Sequence, residues 1–318
     1  LITLLVDPRR WEGVESPPGI RREAAPAPAP ASAGAAGVPA AARGSGDETA
    51  TLEIEGDAYR HLFRARRLAA GDRLRVVDGE GRARWGRIVT VGRRAARVAL
   101  AGPAPDNEPW RRLELLVPTL RPERAAWLVE KATEIGVVAV RFCNTERAPR
   151  DLGAGTLERL RRVAAAAVEQ CHRARCPEVS GPHALAELTA TAPSSGRAGG
   201  AARRWLLDPD APPLGPALAL SFPAGPAGPA NLASPASPED PEDPESPENI
   251  AAARDSALLV GPEGGWAPAE LAALRVAGWQ SAALGGRILR VETAALAGAV
   301  LLLLPEPGGG PPHTPGRQ

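Results

Sequence analysis

Apolar positions in this chain fall into short runs cut by Gly and Pro, and near the C-terminus one such pattern occurs twice. Leu258, Leu259 and Val260 form a run that stops at Gly261 and Pro262. This predicts a buried strand ending in the glycine-rich turn GPEGGW, 261–266. After one helix-length gap Ala282, Ala283 and Leu284 run into Gly285 and Gly286. Arg287, Ile288, Leu289 and Arg290 follow, and then an acid and a hydroxyl, Glu292 and Thr293, open a long apolar helix. Glycine turns at the ends of neighbouring strands bring bare backbone N–H and C=O groups up to a flat or charged ligand. That is a cofactor site in outline.

Upstream, the pattern predicts two further groups of elements. Leu4 to Val6, closed by Asp7-Pro8, reads as a first strand and turn. Leu52 and Ile54 alternate with acids, and Asp57 precedes a helix-like stretch, 58–68, that carries His61, Arg64, Arg66 and Arg67. Residues 71–82 predict a strand ending in the hairpin signal Asp78-Gly79, with further strands at 85–91 and 95–100. Together these describe a small β-barrel. Beyond a linker at 102–109, the apolar run 113–120 leads through Arg121-Pro122 into a helix at 123–136, with Ala126, Val129, Ala132 and Ile135 at three-residue steps and Gly136 at its end. A strand at 137–143, a helix at 157–170 and a strand at 205–207 follow. Strand, helix and strand with short links call for a parallel crossover, hence an α/β unit.

At 318 residues and 44% hydrophobic, the chain supplies two cores. Stretches 24–46 and 211–249 contain little to bury, and six acids stand among prolines at 239–248, so both are expected as flexible insertions. The expected organisation is a first domain at 1–105, a second at 110–305 and a disordered tail at 306–318. Net charge is only +1, yet 57–97 holds twelve arginines against four acids, a local excess of eight that suits a phosphate backbone. Lys131 is the one lysine, and that bias points to a GC-rich genome before it points to function. Cys143, Cys171 and Cys176 give neither a disulfide framework nor zinc spacing, which fits a reducing cytoplasm. The apolar run 294–304 is too short for a bilayer, so no membrane is expected. With no methionine present, Leu1 reads as an alternative start rendered literally or as the remnant of a trimmed one.

GPEGGW with Glu270, followed by LGGRILRVETAAL, resembles the paired signature of the bacterial ribosomal RNA small subunit methyltransferase E family. That family is a branch of the SPOUT superfamily of S-adenosylmethionine-dependent enzymes. EKATEIGV (130–137), TERAPR (145–150) and EQCHRARCPEV (169–179) match the same family, and HLFRARRLAAGDRLRVVDGEGR is similar to its N-terminal PUA-like RNA-binding domain. The resemblance implies a SPOUT-type parallel sheet with a C-terminal trefoil knot, plus a PUA-like β-barrel. It also implies S-adenosyl-L-methionine as cofactor and methylation at N3 of a uridine in 16S ribosomal RNA, within the 30S subunit, by a cytoplasmic homodimer. Cofactor binding is expected at Leu207, Gly261, Pro262, Glu263, Gly264, Gly265, Leu284, Gly285, Ile288, Leu289 and Thr293. Arg290 and Glu292 are the catalytic candidates, and Arg64, Arg67, Arg147, Arg173 and Arg175 the RNA-binding ones. One departure is that the family usually has Pro where Gly286 stands, which is expected to loosen that loop while leaving its backbone contacts.

Each assignment has a plainer competitor. Glu292 and Glu263 can serve as helix-start acids, and Lys131 with Glu134 as an intrahelical pair. Cys171, His172 and Cys176 are expected to be structural, and His61 to face solvent or close a turn. Two other functions compete with the ribosomal uridine enzyme: a SPOUT enzyme acting on a ribose hydroxyl or on transfer RNA, and an inactive RNA-binding protein that kept the fold.

Overall fold

The computed structural model describes residues 2–11, 50–109, 111–148, 152–190, 203–214 and 255–303. The insertion expected at 24–46, that at 211–249 beyond residue 214, the tail at 306–318 and Arg150 lie outside the described residues. The chain divides into two compact units, Leu1–Asp78 with Arg84–Ala104, and Gly79–Ala83 with Pro105–Gln318.

The first unit is one five-stranded mixed sheet built from β1 (Thr3–Leu5), β2 (Thr51–Glu55), β3 (Arg73–Val77), β4 (Ala83–Val91) and β5 (Ala95–Pro103), in the order β1-β3-β4-β5-β2. Alternation sets its inner face. In β2, Leu52 and Ile54 are buried while Glu53 and Glu55 are exposed, and Ile54 lies opposite Ala96 of β5. Leu62 and Phe63 cover this face from a short helix, α1 (Gly56–Tyr59), that continues as a wider π turn over Arg60–Ala65. The helix expected at 58–68 therefore starts earlier and stops sooner. Arg67 has φ +57, a left-handed backbone that no helix continues through.

The second unit is a six-stranded sheet of β6 (Arg112–Pro118), β7 (Ala139–Asn144), β8 (Glu178–Ala184), β9 (Arg203–Leu207), β10 (Asp255–Leu259) and β11 (Gln280–Ala282). Their order is β11-β9-β10-β6-β7-β8, and every pairing is parallel. Parallel strands covered on both faces read as unbroken apolar runs. In β6, Leu113, Leu115 and Val117 enter one cluster, and Leu116 enters the other with Cys143, Leu206, Leu259, Leu274 and Trp279. The first cluster is closed by α2 (Pro122–Ile135), α3 (Ala154–Cys171) and α6 (Val291–Leu303). α4 (Leu185–Ala190) and α5 (Pro268–Val276) contribute Leu188 and Leu274 to the second.

The face that α2 buries differs from the one expected. Ala125, Leu128, Val129 and Ala132 are fully buried, at the i, i+3, i+4, i+7 spacing of a helical stripe, whereas Ala126 and Ile135 are only half-buried. A strict three-residue ladder drifts around a helix of 3.6 residues per turn and cannot stay on one face. Gly136 does end the helix, with φ +112. Strand β10 inserts between β9 and β6, so the chain leaves β6 in one direction toward β7 and β8, and in the other toward β9 and β11. In such a sheet the crevice beyond the carboxyl ends of the strands is where ligands bind.

Candidate active site

The loops that leave β9, β10 and β11 come together at that end and enclose a cleft of about 270 Å³. β10 delivers the first turn. The N–H of Val260 still donates to the Leu116 carbonyl at 3.0 Å, and the turn then closes through Gly265 N–H on the Pro262 carbonyl at 2.8 Å. Gly265 has φ +71, so this closure needs glycine there. β11 delivers the second turn, held in place by Asp208 N–H on the Ala282 carbonyl at 3.0 Å and Leu214 N–H on the Ala283 carbonyl at 2.8 Å. Trp266 ties the β9 end to the first turn, its indole N–H donating to the Leu207 carbonyl at 3.1 Å.

Of the residues expected to bind a cofactor, Leu207, Gly261, Pro262, Glu263, Gly264, Gly265, Leu284, Gly285, Ile288 and Leu289 all line this cleft. Thr293 does not; it is exposed on the first turn of α6. Ile288 stands at the lip, 83% exposed. Arg290 is exposed, just before α6, and its carbonyl accepts the helix-starting N–H of Ala294 at 2.9 Å.

Glu292 stands elsewhere. It is 9% exposed and outside the cleft lining, and both its oxygens are taken by Arg124, which donates from Nε at 2.8 Å and from Nη2 at 2.5 Å. The same Nη2 donates to Glu263 at 2.7 Å. Hydrogen bonds from Arg124, helped by the charge of Arg290, hold the Glu292 carboxyl below its ordinary 4.5 and outweigh burial, which acts the other way. A carboxyl depressed in the folded state stabilises the protein above its unfolded pKa, and that contribution is lost as pH falls through the folded value. Urea midpoints measured stepwise from about pH 6 to about pH 3 should therefore show acid destabilisation that is reduced in Glu292→Gln. Equal acid sensitivity in the two proteins would contradict this.

The expected RNA-binding arginines divide into three groups. Arg64 and Arg67 are exposed on the first unit. Arg147 is exposed and donates from Nη1 to the Gly264 carbonyl at 2.6 Å, which places the TERAPR segment against the first glycine turn. Glu270 reinforces that junction by accepting the N–H groups of Glu146 at 2.8 Å and Ala267 at 3.0 Å. Arg175 is half-buried, its guanidinium packed over Gly81. Arg173 corrects the expectation. It is 2% exposed and donates to Glu108 and to the carbonyls of Thr133 and Val137, so its donors face the protein interior and not RNA.

The plainer competitors also have outcomes. Lys131 lies 2.8 Å from both Glu130 and Glu134, a surface pairing within α2. His172 ends α3 with a left-handed backbone, and its carbonyl accepts from Asn107 at 2.9 Å. His61 is exposed, and its carbonyl accepts the N–H of Arg66. Burial pushes the Cys143 thiol up to about 12. Among the described residues no cluster of His, Cys, Asp or Glu has metal-site geometry, and no helix is long and apolar enough to cross a membrane.

Among the residues of this region that were not expected, three shape it through their side chains. Arg124 carries no motif signal, because its partners are 139 and 168 positions away. Asp208 lines the cleft at 7% exposure and pairs with Arg275 at 3.3 Å. Trp266 closes the first turn. Asp208 was open to detection, because the apolar run 205–207 stops at Asp208-Pro209 just as 258–260 stops at Gly261-Pro262.

A family model described as an RNA methyltransferase domain matches residues 106–216 and 231–303, more than half of the chain, and one described as an RNA methyltransferase PUA domain matches 54–100. The chain belongs to this RNA methyltransferase family. Its fold is that of ribosomal RNA small subunit methyltransferase E. The Neisseria gonorrhoeae protein of that name, solved bound to S-adenosyl methionine, superposes with a TM-score of 0.61 at 24% identity, over 80% of this chain and 92% of the other. A "probable rRNA-methyltransferase" from Porphyromonas gingivalis superposes with a TM-score of 0.57 at 28% identity, over 76% and 87%. A search of the curated proteins gave no match.

Proposed function

We propose that this protein uses S-adenosyl-L-methionine to methylate N3 of a uridine in 16S ribosomal RNA. The observation that carries this reading is the cleft itself: two glycine-rich turns at the carboxyl ends of β10 and β11, parallel strands on either side of β9, inside a domain of the RNA methyltransferase family. Backbone groups of 261–265 and 284–289 would hold the cofactor, a mode that bare glycines permit and side chains would obstruct. When bound, the cofactor supplies an electrophilic methyl on a sulfonium. Arg290, exposed beside the second turn, would stabilise the negative charge that develops on the uridine carbonyl oxygens as the N3 proton passes to water. Glu292, held as a carboxylate by Arg124, orients the start of α6 and the arginine two residues before it. The arginine-rich first unit, with Arg64 and Arg67 exposed, supplies phosphate contacts to RNA.

Calorimetric titration with S-adenosylmethionine tests the cofactor, and mass spectrometry of ribosomal RNA from a strain lacking the gene tests the target. A 16S uridine that loses a methyl group in that strain is the expected result. Methyl loss from transfer RNA or from a ribose would replace the uridine reading, and no binding of the cofactor would favour an RNA-binding protein without activity.

The working form in this reading is a homodimer acting on the 30S subunit. α6 buries Val291, Ala295, Ala299 and Leu302 but leaves Leu301 41% exposed, and α2, which packs on it, leaves Trp127 47% exposed. Apolar side chains left on two adjoining helices suit a second subunit. Equilibrium sedimentation at micromolar concentration should return twice the 33.0 kDa chain mass; a monomer would remove this part of the reading.

A further inference from the structure

Arg124 stands in the first turn of α2, and its guanidinium ends between two carboxylates that belong to different loops. Glu263 is part of the first glycine turn and lines the cleft. Glu292 opens α6 directly after Val291, the residue at which the second loop ends and which also lines the cleft. Nε and Nη2 grip Glu292 as a fork, and Nη2 is shared with Glu263. An ordinary surface pair contributes little, because water competes for both ions. This one differs, since the Glu292 side chain is 11% exposed and that of Arg124 31%. Removing the arginine would leave two acids near one another with no cation between them.

We propose that Arg124 is a positioning residue that locks the two cofactor turns to each other and to α2, so that the methyl donor meets one assembled cleft. The proposal rests on the reading of that cleft as an S-adenosylmethionine site. A guanidinium suits the task because its planar donors can serve two carboxylates at once, whereas a lysine ammonium is a point charge on a flexible stem. The charged groups acting on Glu292 are Arg124 from α2 and Arg290 from the loop before α6, and Glu263 joins them through Arg124. In Arg124→Gln only Arg290 remains to offset burial and the second acid. Glu292 then protonates more readily. At low pH the two turns can still approach, and as pH rises the ionised pair pushes them apart.

The test is calorimetric titration of S-adenosylmethionine into the full-length wild type, Arg124→Gln and Arg124→Lys, from about pH 4 to about pH 7, the range that spans ordinary carboxylate titration. Arg124→Gln is expected to bind about tenfold more weakly at the upper end, the loss of roughly one charge-assisted hydrogen bond. The ratio of wild-type to variant affinity should widen with pH, which a simple packing defect would not produce and which cancels any titration of the ligand itself. Arg124→Lys should fall between the two. If Arg124→Gln does not fold, Arg124→Lys decides alone: affinity equal to wild type overturns the lock. A constant ratio across the pH range overturns it as well. Failure of the wild type to bind at any pH is a separate outcome, which removes the cofactor reading on which the lock depends.

Discussion

Arg173→Ala is expected to lower the unfolding free energy by about 3–5 kcal/mol, the cost of breaking a buried ion pair from one side. Nη2 of Arg173 donates to Glu108 at 2.7 Å, and Nη1 donates to the carbonyls of Thr133 and Val137, both at 2.9 Å. Glu108 also accepts the N–H groups of Ala174 and Arg175 at 2.9 and 2.8 Å. One guanidinium thus joins the end of α2, the entry to β7 and the segment after α3 to the linker that carries Glu108. Alanine would leave Glu108 with two backbone N–H groups but no cation, and would take one donor from each of the Thr133 and Val137 carbonyls, in a place that water cannot fully reach. Urea denaturation measures the effect. A loss below about 1 kcal/mol, the range of a surface pair, together with weakened RNA binding, would restore Arg173 to the RNA-contacting group.

Arg173 also shows where sequence patterns stop being informative. An arginine in CHRARC that matches a family motif carries the same letters whether it faces RNA or the core, and burial is a property of the packed chain. Elements with a strong local cause were legible. Leu52 and Ile54 alternate with acids and form β2, Asp78-Gly79 closes the β3–β4 hairpin, and the apolar runs expected at 113–120 and 258–260 fall in the central parallel strands β6 and β10 and the residues that follow them. β8 was not legible, because Glu178, Ser180, Gly181, Pro182 and His183 offer neither an apolar run nor clean alternation. Among the described residues it is an edge strand paired to β7 alone, and tertiary pairing, not propensity, makes it a strand.

The site divides in the same way. Its two turns were readable because each follows a strand-like apolar run and contains adjacent glycines, a local signal. Glu292 was readable as important but not as to role: the letters ETA at a helix start suit a cap, a catalytic acid or an ion pair equally. Arg124 selects among these, and nothing near Arg124 in the chain points to Glu263 or Glu292. Long-range pairs of this kind become visible only when the strand order places the β10 and β11 loops beside α2.

Gly261→Ala is expected to damage the cleft more than Gly264→Ala, although both lie in the same turn. A Cβ on Gly261 would fall 2.8 Å from Nε1 and 2.9 Å from Cε2 of Trp266, closer than real side chains tolerate. The indole must move, and with it goes the hydrogen bond from Nε1 to the Leu207 carbonyl that joins the β9 and β10 ends. Overpacking costs about 1–3 kcal/mol, and the lost hydrogen bond about 1 kcal/mol more. Much of that strain falls on residues that line the cleft, so S-adenosylmethionine affinity should drop by at least about tenfold. A Cβ on Gly264 instead meets the aliphatic stem of Arg147 at 3.4 Å, an ordinary contact. Alanine there should change affinity by less than about threefold, whereas the branched side chain of Gly264→Val would press on Arg147 and disturb its bond to the Gly264 carbonyl. Calorimetry on the three variants, with thermal midpoints recorded beside each titration, separates loss of binding from loss of fold. If Gly261→Ala binds as wild type while Gly264→Ala does not, Trp266 is not what shapes this turn, and the ligand approaches from the Arg147 side.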